Sequence, residues 1–533
     1  MRKKPPFRIG LLTAVAAMLR GRALLGFAAA FAVMLCGVIA ISPAQATSDP
    51  LIEVLIRKGV LTPGEAMQIE KEARDLEKTR EQQVDQKVKA SEQKVVDQVD
   101  KKLTSVEKKV AAKPAPKDSW KVHWKNGLKI ESPDGKNKFG LGGRIMVDFA
   151  SVSSTSRRFA DQVRQDEGTP LTGFGSEFRR ARIYVSGTVY DNYFFKGEYD
   201  FAEGNGTVGF KDVFIGMKNI PGIGHIRIGH QKEPFSLEEQ TSSRFITFME
   251  RGLPNVFAPS RNTGIMAYNT AFNKRMYWGF GVFQDVDDFG NDFDNNQDWN
   301  TTLRIAGTPW YEDKGRHLLH VGLSYSHQFR NSNDFQLRYR QRPEVHTTDA
   351  RTVDMFTNRL WTENIDLVNP ELAFVWGPFS LQGEYMFAFT EASRRQSPAQ
   401  NLFLNQSDPT FQGAYIYGSV FLTGESRNYS QSGACFDRIK PNNNFDLKGG
   451  WGAWELGARY SYLSLSDKGV GGGRENNFTA GLNWYLTPNT RWMFNYVYAD
   501  VDGRLVTPRP PTYPQDIVNG TAHVAQTRFQ IDF

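Results

Sequence analysis

From Trp120 to its last residue the chain alternates with a period of two. Phe139, Leu141, Gly143, Ile145, Val147 and Phe149 interleave with Lys138, Gly140, Gly142, Arg144, Met146 and Asp148. One face of that extended segment is apolar and the other polar or small. The pattern returns in FRRARIYVSGTVY (Phe178 to Tyr190), FFKGEYDF (Phe194 to Phe201), VGFKDVFIGMK (Val208 to Lys218) and HIRIGHQ (His225 to Gln231). It continues to VAQTRFQIDF at the end, for sixteen runs in all. Most are near the roughly 9 to 11 residues that a tilted strand needs to cross a bilayer. Asp191-Asn192, Asn273-Lys274-Arg275 and Thr487-Pro488-Asn489 make short turns that alternate with long polar loops, as in a barrel whose two rims face different compartments. A soluble sandwich fills a domain with about half as many strands. Its outer skin could not use so many polar faces rich in Arg, Lys, Asp and Glu. The expectation is an all-β, 16-stranded antiparallel transmembrane barrel over residues 120–533.

Two details bear on that expectation. Trp310, Tyr311, Trp376, Trp451, Trp454, Trp484, Tyr485 and Trp492 cluster at strand ends, where two interfacial girdles are expected. The chain stops on Phe533, in phase with Phe529 and Ile531 and out of phase with Arg528, Gln530 and Asp532, an ending that resembles the assembly signal of outer-membrane barrels. One connection breaks the rhythm. Gly424 to Gly450 is long where counting predicts a short turn, so either the count is off by one or this segment folds inward.

Upstream of the barrel the composition changes twice. Residues 1–46 read as a signal peptide, with a basic start to Arg22, an apolar run from Ala23 to Ile41 and small residues at Pro43-Ala44-Gln45-Ala46. Cleavage there removes Cys36 and leaves Cys435 alone, so no internal disulfide is available. Residues 47–112 form a helical, coiled-coil segment. Thr62-Pro63-Gly64-Glu65 supplies a helix start, and Val84, Val88, Val95, Val99, Leu103, Val106 and Val110 recur every three or four residues. A Pro/Ala/Lys linker, 113–119, ends it. Six of the 65 Lys and Arg residues fall within 1–46, where there is no acid, so the remainder carries 59 bases against 58 acids. Any preference for anions must therefore come from where the cations sit.

A barrel of this strand number leaves an aqueous lumen, and strand phase places Arg144, Arg180, Arg182 and Lys196 in it. Arg338, Arg340 and Arg342 (RYRQR) stand at i, i+2 and i+4, a row about 7 Å apart on one face of an extended chain. Such guanidiniums can each take an oxyanion through two parallel hydrogen bonds. The alternative for each is pairing with lumen carboxylates such as Glu198, Asp200 and Asp212. Lys232 to Arg261 is too long for a turn and too apolar for a solvated loop. Phe235, Phe245, Phe248, Met249 and Phe257 are expected to pack it back into the barrel, where it narrows the hole. Asp285, Asp287, Asp288, Asp292, Asp294 and Asp298 lack the glycine and terminal glutamate of a calcium loop, and a solvated outer loop is expected. The eight histidines form no metal motif, and no GxSxG, Walker or dinucleotide fingerprint occurs. No enzyme activity, catalytic residue, cofactor, metal or nucleic-acid partner is expected.

The segments WKNGLKIESPDGKNKFGLGGRIMVD, EFRRARIYVSGT, GHQKEPFSLEEQTSSRFITFMER, RYRQRPE, VWGPFSLQGEY and GGWGAWELGARYSYL resemble the phosphate-selective porin O and P family of Gram-negative outer membranes. The resemblance covers about Trp120 to Phe533. It implies a homotrimer of 16-stranded barrels in outer-membrane lipid, with the loop after the fifth strand building an anion site. By position, Lys232, Ser236 and Arg244 match that site, and Arg180, Arg182, Arg338, Arg340 and Arg342 match an arginine ladder, to which strand phase adds Arg144. Phe235 stands where phosphate-binding members place a second serine. The expected function is passive diffusion of small anions, with phosphate or polyphosphate favoured. The alternatives are a porin for another solute, or an outer-membrane anchor whose periplasmic coiled coil contacts the cell wall.

Overall fold

The computed structural model describes residues 119–202, 208–291, 298–330, 336–355, 360–392, 408–506 and 516–533, together with part of 50–101. Met1–Ser119 and Trp120–Phe533 are separate units. In the first, α1 spans Pro50–Arg57, and every described residue from 63 to 101 in the next stretch is helical. The Glu65 carboxylate accepts from Thr62 N at 2.9 Å and Thr62 Oγ1 at 2.7 Å, the reciprocal cap expected from the sequence. The signal peptide 1–46, the seven seam residues from Val84 to Val110, and linker residues 113–118 lie outside the described residues.

In the second unit sixteen strands follow one another around a closed antiparallel barrel. They are β1 (Lys138–Ser153), β2 (Gly173–Val189), β3 (Tyr193–Asp200), β4 (Gly209–Ile220), β5 (Gly224–Lys232), β6 (Arg261–Ala271), β7 (Met276–Gln284) and β8 (Trp299–Glu312). The second half comprises β9 (His317–Phe329), β10 (Leu360–Trp376), β11 (Phe379–Ala392), β12 (Thr410–Phe421), β13 (Ala453–Asp467), β14 (Val470–Thr487), β15 (Thr490–Val506) and β16 (Asp516–Asp532). β16 pairs with β1 from Asp532↔Arg144 to His523↔Ser153. Past that ladder Gly143 and Phe533 exchange backbone hydrogen bonds of 2.7 and 3.0 Å, so the terminal aromatic completes the seam.

Burial follows the alternation, inside out relative to a soluble protein. On β16 Arg528 is 0% exposed while its neighbour Phe529 is 46% exposed. The outer face is therefore apolar and the inner face polar, as lipid and water demand. The inner face turns apolar toward the rim of the long loops. There Ala150, Val152, Val497, Ala499, Val501, Val518, Ala522 and Val524 pack with Phe159 and Val163 of α2 (Arg157–Glu167) and with Val345, Ala350, Val353 and Met355. Helix α2 starts on Ser156, whose hydroxyl accepts from Phe159 N, and stops at Gly168 with φ 71°, a left-handed cap that suits glycine.

Two expectations need correcting. The tryptophans named for two girdles gather at one rim: Trp310 and Trp376 stack at 5.6 Å, and Trp454 and Trp484 at 5.0 Å, all at the rim that holds the C-terminus, while Trp299 and Phe329 are exposed at the other. Tyr485 turns inward and donates to Glu455 at 2.7 Å. The acidic loop is not wholly solvated, because Asp298 is 7% exposed and Asp285 lies 3.4 Å from Arg330; Asp292 and Asp294 lie outside the described residues. The strand count holds, so the long Gly424–Gly450 connection is resolved the other way: it folds into the barrel.

Candidate channel constriction

Among the described residues, the connections that enter the lumen include 233–260 after β5, 336–355 after β9, and 422–452 between β12 and β13. The first carries the expected apolar run. Phe235, Leu237, Ile246, Phe248, Met249, Leu253 and Phe257 are each at most 3% exposed, whereas Phe245 lies half-buried under the guanidiniums of Arg244 and Arg438. Hydrophobicity presses the loop inward and a second set of contacts fixes its path. Arg491 donates to the carbonyls of Ile246 (2.7 Å) and Thr247 (2.9 Å), Arg528 to that of Met249 (2.5 Å) and Arg459 to that of Glu250 (2.9 Å). Asn495 accepts from Met249 N at 2.7 Å and Ser461 from Leu253 N at 2.8 Å. The buried backbone polar groups of an irregular segment are thus satisfied by lumen-facing side chains of β13, β15 and β16. Glu384 accepts from the N–H groups of Leu237 and Glu238 at the start of the short helix α3 (Leu237–Gln240).

Opposite those anchors, between the loop and the β1–β5 wall, lies a cavity of about 460 Å³. Eleven Lys or Arg residues line it, against the carboxylates of Glu198, Asp212 and Glu239. Arg144, Arg180, Arg182, Lys196, Lys232 and Arg244 are brought together there. Most are held by acids. Arg182 meets Asp200 (2.5 Å) and Glu198 (3.1 Å), and Lys196 meets Glu198 (2.8 Å) and Asp212 (2.5 Å). Lys232 lies 2.9 Å from Glu239, Arg244 lies 3.3 Å from Asp532, and Arg144 pairs with Glu198. Among the described residues Arg180 and Arg227 make no ion pair; their polar contacts are the sulfurs of Met146 and Met266. The carboxylates fix the fork directions and leave a cationic surplus in a low-dielectric wall.

In the loop itself, burial alone would raise Glu239, but Arg251 and Lys232 beside it bring its carboxyl down to about 2. Burial likewise opposes ionisation of Glu250, and Arg179 and Arg528 outweigh it, holding the carboxyl well below the usual range. Both acids are therefore charged fasteners rather than proton donors.

Ser236 does not line the cavity. It is 0% exposed, and its hydroxyl accepts from Glu239 N at 3.1 Å as the cap of α3. The hydroxyls that face the cations belong to Ser242 and Ser243, 3.4 and 3.3 Å from Arg144 Nη1. The RYRQR row also departs from expectation, because it is not on a barrel strand. Arg338 is a fork on Asp354, Arg342 pairs with Asp349, and Arg340 begins a two-residue strand, so no continuous face carries all three. Between them Tyr339 packs on Phe257 at 5.0 Å, sealing this second loop against the first.

Sequence reading also missed cavity residues. Arg227 follows the same polar phase as Arg144 and was findable by alternation. Arg179 was not: the register shifts between Met146↔Arg180 and Val147↔Phe178, leaving Arg179 as the extra residue of a bulge that turns two consecutive arginines inward. Arg251 and Arg261 flank the apolar run of the loop, and their acids, Glu239 (3.2 Å) and Asp212 (2.7 Å), are visible only in three dimensions. The inward 422–452 segment is fastened in the same style. Arg304 donates to the Ala434 carbonyl at 2.8 Å, Tyr429 meets His320 at 2.7 Å, and Arg438 forks onto Asp532.

A closed transmembrane barrel with a charged lumen, narrowed by segments of its own chain, defines an outer-membrane diffusion channel. The family profile described as phosphate-selective porin O and P matches residues 140–533, and the chain belongs to that family. Among similar proteins, Porin O of Pseudomonas aeruginosa is 27% identical over 415 residues, 72% of this chain and 87% of that one. An uncharacterized protein of Caulobacter vibrioides is 29% identical over 434 residues, 79% of each chain. Similar solved structures include OmpT of Vibrio cholerae, at a TM-score of 0.45 and 11% identity over 74% of this chain and 98% of that one. OmpF of Salmonella typhi, in complex with daunomycin, gives 0.42 and 12% over 77% and 100%.

Proposed function

We propose that this channel passes small anions by passive diffusion, with phosphate-like oxyanions favoured, and that the cavity between loop 233–260 and β1–β5 is its selectivity site. The observation that carries this reading is the cationic surplus in that cavity: eleven Lys or Arg side chains line it against Glu198, Asp212 and Glu239, and it persists after Asp200, Glu250 and Asp532 behind the wall have taken Arg182, Arg179 and Arg244. Lys232 and Arg244 supply charge from either end of α3, while Arg180 and Arg227 keep guanidinium donors that no acid occupies. Ser242 and Ser243 offer hydroxyls to a phosphoryl oxygen. A cation entering this field is repelled, and an anion exchanges hydration for several fixed donors without meeting one deep well.

The test is the zero-current potential of the purified protein in planar bilayers under a KCl gradient, followed by titration of the chloride current with phosphate. An anion-selective potential and phosphate block that weakens in Lys232→Ala with Arg244→Ala support the reading. A cation-selective or neutral channel refutes it, and a protein that gives no current is an anchor. Family membership also supports a homotrimer in outer-membrane lipid; from the sequence alone we further propose that 1–46 is removed on export and that 47–112 is a periplasmic coiled coil able to reach the cell wall.

A further inference from the structure

Beside the cationic cavity, toward the rim of the short turns, the inner wall departs from the polar-in rule. Phe194 shares the inward phase of Lys196, and Phe214 that of Asp212, yet both are aromatic and half-buried. Their rings meet edge to face at 6.1 Å. Across from them His225 lies over Tyr268 at 5.0 Å. The guanidinium of Arg227 sits between the two pairs, 5.1 Å from the Phe214 ring and 4.7 Å from the Tyr268 ring, and its buried Nε has no hydrogen-bond partner. These rings line a cavity of about 470 Å³ together with Lys129, Lys138, Lys218 and the carboxylate of Glu131, while Arg227 itself lines the cationic cavity next to it. Lys196 lines both this cavity and the cationic one, so the two adjoin at that side chain.

Inorganic phosphate gains nothing from aromatic walls, and a volume of that order falls within the roughly 300–1,000 Å³ typical of sites for small organic molecules. A cation stacked between rings and free of any carboxylate among the described residues fits a ligand that presents an anionic group and a flat face together. We infer that the channel carries a site for small aromatic anions, aryl phosphates or aryl carboxylates. The acidic group takes Arg227 and Lys196, and the ring stacks on Phe194, Phe214 and Tyr268. This inference rests on the anion-channel reading and narrows its solute class.

The experiment compares half-blocking concentrations of phenyl phosphate, methyl phosphate and inorganic phosphate on the chloride current in planar bilayers. Phenyl phosphate is expected to block at about three- to tenfold lower concentration than the other two, the gain that one aromatic contact provides. In Phe194→Leu with Phe214→Leu, which keeps apolar bulk and removes the rings, that advantage shrinks toward none. Equal block by phenyl and methyl phosphate in the wild-type channel overturns the inference without any variant. So does an advantage that persists in a double variant whose heat-modifiable gel mobility shows a folded barrel. If the zero-current potential shows no anion preference at all, the channel reading itself fails, a separate outcome.

Discussion

Replacing Glu250 by Gln should unfasten the inward loop while leaving the barrel intact. Glu250 accepts from Arg179 at 2.8 and 2.9 Å and from Arg528 at 2.7 Å. Arg528 is fully buried and Arg179 mostly so, and Arg528 keeps Asp148 while Arg179 loses the one carboxylate it pairs with among the described residues. Removing one partner of a buried pair costs about 3–5 kcal/mol. Three charge-assisted bonds at about 1.5–3 kcal/mol each bracket that figure from above, because Gln retains weaker neutral contacts. The loss falls on loop docking, since the barrel's ladders do not pass through residue 250. Even the lower figure multiplies the undocked population by over a hundredfold, at about 1.4 kcal/mol per decade. Single-channel recording should then show larger unitary conductance and added open-state noise. Arg179→Gln combined with Glu250→Gln should recover part of the effect, because no guanidinium is then left uncompensated. Wild-type conductance and noise in Glu250→Gln would refute the claim that this cluster holds the loop.

Ser236→Ala should loosen the loop by about 1 kcal/mol, the usual value of a helix cap, and leave phosphate block nearly unchanged; complete loss of block would place its hydroxyl in the anion site after all. Burial raises Glu238 to about 7, with Arg459 opposing and Glu384 adding to the rise. The docked loop therefore binds a proton that a solvated carboxyl, near 4.3, has already released, so docking is strongest at acid pH and weakens as pH rises from about 4 to 7 by roughly 3–4 kcal/mol. Channel noise should grow over that window and level off above it, and Glu238→Gln should flatten the profile. Arg438→Leu strips Asp532 of its fork and should free the 422–452 segment, read as faster proteolysis of the folded barrel within 422–452.

The wall was legible because its code is local. Alternation at i and i+2 needs no distant partner, and it placed all sixteen strands, the short turns and the inward phase of Arg144, Arg180 and Arg182. It was misled where the local rule breaks, as at the bulge that turns Arg179 inward beside Arg180. The contents of the lumen follow a different code. Glu250 reaches Arg528 across 278 positions and Asp148 reaches the same arginine across 380, so neither could be paired by reading along the chain. RYRQR shows how a local pattern misleads once a segment leaves the sheet. Its spacing fits a ladder, but the segment is an inward loop whose Arg338 and Arg342 are claimed by Asp354 and Asp349. Selectivity in such a channel then depends less on how many arginines face inward than on which of them acids have already taken. On the anion-channel reading proposed above, Arg180 and Arg227, two cavity arginines without an ion pair among the described residues, are expected to matter more than the row that looked richest in the sequence.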